Sequence, residues 1–181
     1  MIYLALLRGI NVGGNNKIDM KLLKQTFERA GMNDVMTYIN TGNIIFSDNA
    51  QSKIELSHRL EEVIRKEFGL QIRVLIRNVD EIKGIIKAIP DTWKNDKEMT
   101  GDVMFLWEEV DDIALLEKLV IQPSIDTVIY VPGAILWMVD KVNITKSGKS
   151  KIIGTKLYKQ VTIRNVNTTR KIYELMELQN N

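Results

Sequence analysis

The stretch MIYLALLRGINVGGNNKID (residues 1–19) combines an apolar run, a glycine-rich loop and a helix start. Residues 2–8 predict a buried strand, because the apolar run is short and meets glycine. Asp19 predicts a helix N-cap, since its carboxylate can accept amide hydrogens of the first turn. The eleven residues 8–18, here called the glycine loop, contain three glycines and three asparagines. The chain therefore opens as strand, permissive loop and helix.

The same order continues through the first half of the chain. Apolar residues after Asp19 recur at helical spacing as far as Gly31, and residues 35–41 and 43–47 predict two strands that meet at Gly42. Ser52 predicts the cap of a second helix that ends at Gly69, and residues 72–76 predict a strand. The first half is thus predicted as β-α-β-β-α-β.

The second half repeats this order after a helix at 80–88, Pro90 and a polar connector. The predicted strands are 103–107, 127–131, 135–139 and 161–163; the predicted helices are 111–120, 150–159 and a last one capped by Thr168. We therefore expect an α+β fold of two tandem ferredoxin-like (βαββαβ) halves with antiparallel sheets and extra helices around the second half. The predicted division is 1–77, a helix and connector at 78–101, and 102–181. The repeat is interpreted as one of element order, not of residue identity.

This topology predicts a site. In a βαββαβ unit the first two strands run in the same direction, so the glycine loop and the turn Thr41-Gly42-Asn43 leave the sheet at the same end. These two polar loops are expected to be neighbours, although about thirty residues separate them.

Composition excludes several kinds of chemistry. The 181 residues contain no cysteine and one histidine, so disulfides, zinc–thiolate sites, cysteine nucleophiles and poly-histidine metal sites are excluded. No metal or redox cofactor is indicated, and His58 is expected on the polar side of its helix. The first apolar run lacks a basic n-region and a cleavage site, and no run is long enough to span a bilayer. We therefore expect a cytoplasmic protein.

Charge is segregated along the chain. Residues 78–118 carry eleven acids and five lysines, a net charge of −6, whereas residues 141–171 carry nine Lys or Arg and no acid. The basic segment could attract phosphates, or it could face the acidic segment in the same molecule or in a partner subunit.

Three groups of residues are candidates for binding an anion, and each has a structural alternative. In the glycine loop, Gly13 and Gly14 allow close backbone approach and Arg8 and Lys17 add charge, but the loop could simply turn a corner. Thr41 and Asn43 could offer a hydroxyl and an amide, or form an ordinary hairpin turn. Residues 162–171 concentrate four polar groups that could instead form a strand end, a turn and an N-cap: Arg164, Asn165, Asn167 and Thr168.

Two further motifs favour a structural interpretation. The segment SGKSK (147–151) has one glycine before Lys149, so a solvated, mobile basic loop is preferred to a phosphate-binding loop. The acids at 108–112 could bind magnesium, but acids at the start of a helix are simply favourable there. Trp107 and Trp137 are expected in the core.

Taken together, LLRGINVGGNNKI, TYINTGNIIF and TIRNVNTTRKIYEL resemble the signature blocks of domain-of-unknown-function family 1697, in the same order over nearly the whole chain. The resemblance implies a bacterial, cytosolic protein with two ferredoxin-like halves, and it supplies no activity. Family members commonly have a tryptophan where Val166 stands, so no stacking role is expected there. The blocks match at Arg8, Gly9, Asn11, Gly13, Gly14, Thr41, Gly42, Asn43, Arg164, Asn165, Asn167 and Thr168.

These observations favour a binding module for a phosphate-bearing small molecule or nucleotide at the glycine loop. One alternative is an enzyme of unknown reaction acting on an anionic substrate, whose general base would be Asp, Glu, Lys or Tyr. Another is an RNA-binding or dimeric interaction protein. RNA is less favoured, because the first strand, IYLALLR, lacks the aromatic pattern of RNA-binding sheets.

Overall fold

The computed structural model describes residues 1–49 and 52–180, and in these ranges the fold is a mixed α+β arrangement with two four-stranded antiparallel sheets. Two compact units carry one sheet each. The first comprises Met1–Ile82 together with the segment from Ile172 onward, and the second comprises Lys83–Lys171. None of the helices in the described ranges has the length and apolar character needed to cross a membrane.

The first unit has the predicted β-α-β-β-α-β order. Its elements are β1 (Ile2–Leu7), α1 (Met20–Arg29), β2 (Asn33–Tyr38), β3 (Asn43–Ser47), α2 (Lys53–Phe68) and β4 (Val74–Asn78). The strand order across the sheet is β2-β3-β1-β4. The predicted helix ends are confirmed: Asp19 caps α1, Ser52 forms a capping box with Glu55, and Gly69 ends α2 at φ +67°.

Helices α1 and α2 cover one face of this sheet. Leu23 and Phe27 of α1 and Leu60 of α2 are fully buried in one hydrophobic cluster with alternate residues of the strands. The ring of Phe27 meets that of Phe46 on β3 edge-on, with centroids 6.2 Å apart. Full burial of each such side chain contributes roughly 1.5–3 kcal/mol, so this face holds the helices in place.

The second unit carries the other sheet, which consists of β5 (Met99–Leu106), β6 (Asp126–Val131), β7 (Ala134–Asp140) and β8 (Val161–Asn165). The strand order across this sheet is β6-β7-β5-β8. Both predicted core tryptophans, Trp107 and Trp137, are buried. Strand β5 begins at Met99, so the last residues of the predicted connector are strand. The two remaining α-helices described are α3 (Val79–Ala88) and α4 (Val166–Asn180).

The α-helices predicted at 111–120 and 150–159 are wrong. Their places are taken by short 3₁₀ helices at Ile113–Lys118, Gly148–Ile152 and Leu157–Gln160. Gly154 interrupts the later segment at φ +87°, a left-handed conformation that no α-helix contains. Two further 3₁₀ helices occur at Glu108–Val110 and Lys141–Lys146. The second sheet is therefore covered on this side by short segments instead of long helices.

Candidate functional site

The glycine loop folds into a miniature hairpin. The amide of Asn15 donates to the carbonyl of Val12 over 3.0 Å, and the two residues form an isolated antiparallel bridge. Gly13 and Gly14 make the two-residue turn with φ of +59° and +78°. Such a turn needs positive φ at both positions, which glycine adopts without steric cost. The loop is therefore an ordered element with its own hydrogen-bond register.

Two asparagines hold this hairpin in place. Asn11 accepts from the Ile18 amide (2.8 Å) and donates through Nδ2 to the Ile18 carbonyl (3.0 Å) and to the Asn40 carbonyl (2.8 Å). Asn16 donates to the carbonyl of Gly9 over 2.9 Å. Because Asn40 belongs to the connection between β2 and β3, this last bond confirms the prediction that the glycine loop and the β2–β3 turn are neighbours. The side-chain amide of Asn11 shapes the loop itself.

The β2–β3 turn is closed by the polar residues that the sequence singled out. Asn43 is fully buried, and its Nδ2 donates to the Tyr38 carbonyl and to the Thr41 hydroxyl, each over 3.0 Å. The Leu7 amide of β1 donates to the Gly42 carbonyl over 2.8 Å. The side chains of Thr41 and Asn43 therefore stabilise the turn, and the Gly42 carbonyl fastens it to β1.

Replacing Gly42 with alanine should destabilise the protein by about 2–4 kcal/mol. The added Cβ would lie 2.7 Å from Leu7 Cβ and 3.0 Å from Ile10 Cδ1, at a φ of +84°. Gly9→Ala is the matched control, because Gly9 has a φ of +70° but no atom within 4 Å of the new Cβ. Urea unfolding should therefore give a smaller loss for Gly9→Ala. Equal losses would contradict the steric argument.

A shallow depression of about 500 Å³ opens where the glycine loop enters α1. Lys17 is exposed on its lining, and Asp19 faces the same space while its Oδ1 accepts from the Leu22 amide over 2.8 Å. Arg8 is half-buried at the other end of the loop, and its amide donates to the Arg73 carbonyl over 3.0 Å. The lining consists of Asn11, Gly14, Lys17, Ile18, Asp19, Met20 and Asn40.

The third predicted group lies in the second unit, at the junction of β8 and α4. Arg164 is buried, and its guanidinium donates to the Thr162 hydroxyl (3.1 Å) and to the Ile163 carbonyl (2.8 Å). Burial lowers the pKa of Arg164 to about 10, so the side chain remains a cation at neutral pH.

The predicted N-cap at Thr168 is wrong. Helix α4 begins at Val166, and the side chain of Asn165 accepts from the Thr168 amide over 2.8 Å. Asn165 is therefore the cap, because the helix starts directly after the strand. Asn167 exchanges two hydrogen bonds with the backbone of Asn95, at 3.2 and 3.0 Å, and fastens the first turn of α4 to the connector.

The family model described as "Protein of unknown function (DUF1697)" matches residues 1–137. The chain belongs to this family. Its structure is similar to that of the conserved bacterial protein SP0830 from Streptococcus pneumoniae, with a TM-score of 0.81 and 28% sequence identity over 97% of this chain and 98% of that chain. No curated protein matches the chain significantly.

The structure of this DUF1697 protein draws attention to a residue repeat that the sequence interpretation missed. VLIRNV (74–79) ends β4 and starts α3, and VTIRNV (161–166) ends β8 and starts α4. Arg77 is buried and donates to the Ile76 carbonyl over 2.9 Å, as Arg164 does to its own preceding carbonyl. Asn78 accepts from the Glu81 amide over 2.9 Å, like Asn165. The repeat therefore includes residue identity, and comparing the two strand–helix junctions in the sequence would have found it.

Asp126 is a second feature that the sequence interpretation missed. It is buried and accepts from the Trp137 indole (3.1 Å), the Gln122 amide (2.8 Å), the Gly148 amide (2.9 Å) and the Ser147 hydroxyl. Burial alone would raise the pKa of Asp126, but these hydrogen bonds outweigh it and lower the pKa. No local sequence signal marks this acid, because its four donors come from three separate places in the chain: Gln122, Trp137 and the pair Ser147-Gly148.

The motif SGKSK is consequently not the solvated, mobile loop that was predicted. Ser147 and Gly148 are buried against Asp126. Lys149 donates to the Thr100 hydroxyl over 2.9 Å and forms an ion pair with Asp102. This pair joins the basic segment to the acidic segment within one molecule, as one of the sequence alternatives anticipated.

The acids at 108–112 also have structural partners. Asp111 accepts from the Tyr130 hydroxyl (3.0 Å) and the Gly133 amide (2.9 Å), which ties it to the β6–β7 turn. Asp112 caps the following 3₁₀ helix by accepting from the Ala114 amide over 2.7 Å. Residues 1–49 and 52–180 contain no group of three acidic or histidine side chains placed to hold a metal ion.

Proposed function

We propose that this DUF1697 protein is a binding module for a phosphate-bearing small molecule or nucleotide, held in the depression beside the glycine loop. The observation that carries the proposal is that Lys17 and the first residue of α1, Met20, line the same space. A lysine ammonium and a helix N-terminus both favour an anion, and a well-ordered loop lowers the entropic cost of binding.

The donors around the depression support this choice of ligand. In the first turn of α1 the Leu22 amide is capped by Asp19, whereas the amides of Met20 and Lys21 have no acceptor within the described part of the chain. Helix geometry leaves such amides free to meet a ligand. The Asp19 carboxylate repels an anion, so the phosphate is proposed to approach from the side of Lys17 and Gly14.

The other loop residues are proposed to position these donors. Asn11 fixes the loop to the β2–β3 turn, Thr41 and Asn43 fix that turn, and Gly13 and Gly14 keep side chains away from the rim. The proposal does not extend to Arg164, Asn165, Asn167 and Thr168, because they belong to the second unit.

An enzyme acting on an anionic substrate is the less favoured alternative. Lys17 and Asp19 are the titratable side chains that line the depression among the described residues. Asp19 already caps α1, which competes with a role in proton transfer. Binding without turnover therefore needs fewer assumptions.

Replacing Lys17 with glutamine should weaken the binding of AMP about tenfold or more, because a charge-assisted hydrogen bond to phosphate would be lost. Lys21→Gln is the matched control: Lys21 is exposed in the same region but does not line the depression. Isothermal titration with AMP, ATP and inorganic phosphate measures the effect. Similar affinity in both variants, or no binding to the unmodified protein, would contradict the proposal.

Titration at increasing salt concentration distinguishes binding of a small phosphate-bearing ligand from binding of RNA. A small phosphate-bearing ligand should bind with a weak dependence on salt, whereas RNA binding should fall steeply as salt is added. Binding to an RNA oligonucleotide together with none to AMP would overturn the small-ligand proposal in favour of an RNA-binding protein.

At the level of fold, we propose that each unit is ferredoxin-like and that the two arose by internal duplication. Two observations support this: the strand orders correspond, and the residues Val-x-Ile-Arg-Asn-Val recur where the fourth strand of each sheet enters a helix. In an experimental structure the four strands of one sheet should superpose on those of the other with Arg77 on Arg164. A superposition that separates the two arginines would contradict duplication.

A further inference from the structure

The second unit contains a cavity of about 400 Å³ that takes no part in the proposed function. Its lining comes from the 3₁₀ helices Ile113–Lys118, Gly148–Ile152 and Leu157–Gln160 and the residues beside them. Leu115 and Ile152 line the cavity and also belong to the hydrophobic core of this unit. The cavity is therefore continuous with the core.

The cavity exists because the segments around it are short. In the first unit the connections after β1 and after β3 form the long helices α1 and α2, whose side chains complete the core. In the second unit the connections after β5 and after β7 form only 3₁₀ helices. The inner lining is apolar and consists of Val110, Leu115, Leu119, Ile152 and Leu157.

The rim of the cavity is cationic. Lys118, Lys151 and Lys156 line it and are exposed, and the lining contains no acidic residue. None of the three lysines forms an ion pair with an acidic side chain in residues 1–49 or 52–180. Two of them belong to the basic segment 141–171, which has no acid of its own. An apolar interior with a positive rim matches a molecule with an apolar body and an anionic end.

We propose that this cavity binds a free amphipathic anion, an aliphatic chain that ends in a carboxylate or a phosphate. Its chain would pack against Leu115, Ile152 and Leu157, and its charged end would meet Lys151 and Lys156. If each non-hydrogen atom takes the roughly 30 Å³ that a water molecule occupies in the liquid, a volume of about 400 Å³ holds about a dozen atoms. A chain of about eight to ten carbons with its anionic group therefore fits.

Isothermal titration with octanoate, octanol and inorganic phosphate tests this proposal on the full chain. Octanoate should bind, octanol should bind several-fold more weakly, and phosphate alone should not bind at the cavity. The double variant Lys151→Gln with Lys156→Gln should raise the octanoate Kd roughly three- to tenfold, since partly exposed ion pairs are lost. The matched double variant Lys141→Gln with Lys146→Gln, whose lysines do not line the cavity, should change it less than twofold.

A second variant tests the interior. Leu157→Trp should fill the cavity and abolish octanoate binding while the circular dichroism spectrum stays unchanged. If this variant does not fold, the comparison of the two lysine double variants tests the proposal. The proposal is overturned if octanoate does not bind, if it binds equally to Leu157→Trp, or if both lysine pairs have the same effect. Lys17→Gln should leave octanoate binding intact, so failure here is distinguishable from failure of the proposed function.

Discussion

Replacing Asp126 with alanine will lower the free energy of unfolding by roughly 3–5 kcal/mol. The side chain is only 6% exposed and accepts hydrogen bonds from four donors. Alanine would leave the Trp137 indole and the amides of Gln122 and Gly148 without their acceptor. Each buried donor left unpaired costs about 1–3 kcal/mol, and water entering the new space recovers part of the loss.

The loss of unfolding free energy in Asp126→Ala should be larger at neutral pH than at acid pH. The pKa of Asp126 is lowered in the folded protein because its hydrogen bonds outweigh the effect of burial. The carboxylate therefore stabilises the fold fully above the pKa of an unfolded aspartate, about 3.9, and this contribution is lost as the pH falls through the folded-state pKa. The difference between the unmodified protein and Asp126→Ala should be largest near pH 7 and should shrink below about pH 4.

Urea unfolding at pH 7 and near pH 3.5 measures both effects. Asp91→Ala is the matched control, because Asp91 is an exposed acid of the same unit and should change stability by less than about 0.5 kcal/mol. The indole proton of Trp137 provides a local readout by NMR, since its hydrogen bond ends on Asp126. A loss of stability that is the same at both pH values would contradict the role given to the carboxylate.

Replacing Gly148 with alanine will also destabilise the second unit, by roughly 3–5 kcal/mol. The added Cβ would lie 1.6 Å from the carbonyl oxygen of Val120 and 2.5 Å from its carbonyl carbon. Both are backbone atoms, so no side-chain rotation can relieve the clash. The segment would have to move away, and the hydrogen bond from the Gly148 amide to Asp126 would break.

Gly154→Ala separates this steric effect from backbone conformation. Gly154 has a φ of +87° and no atom within 4 Å of the new Cβ, so alanine there should cost only about 1–2 kcal/mol. Comparing the urea midpoints of the two variants tests the ranking. If Gly154→Ala were the more damaging substitution, the close approach at Gly148 could not be the cause.

The first unit was predictable because its signals are local. Asp19, Ser52 and Gly69 mark helix ends through their own chemistry, and all three act as predicted. The topology of a βαββαβ unit then placed the glycine loop beside the β2–β3 turn, which the hydrogen bond from Asn11 to Asn40 confirms. Local propensity and strand direction were sufficient for this result.

The second unit was harder because tertiary contacts override its local preferences. Residues 150–159 have helical character, but Gly154 adopts a left-handed conformation and Gly148 is held against Asp126 and Val120. The motif SGKSK is polar, and its sequence therefore predicts a solvated loop. Only the folded chain brings Asp126 to Ser147 and Lys149 to Asp102.

By itself the sequence determined the α+β class, the element order of the first unit, the position of the glycine loop beside the β2–β3 turn, and the resemblance to the signature blocks of DUF1697. These features depend on hydrophobic periodicity and on capping and turn residues, which act within a few positions along the chain. The tertiary structure alone decided that Asp126 is a hydrogen-bonding centre and that a cavity with a cationic rim opens in the second unit. Each of these depends on groups far apart in sequence that meet only when the sheet is assembled.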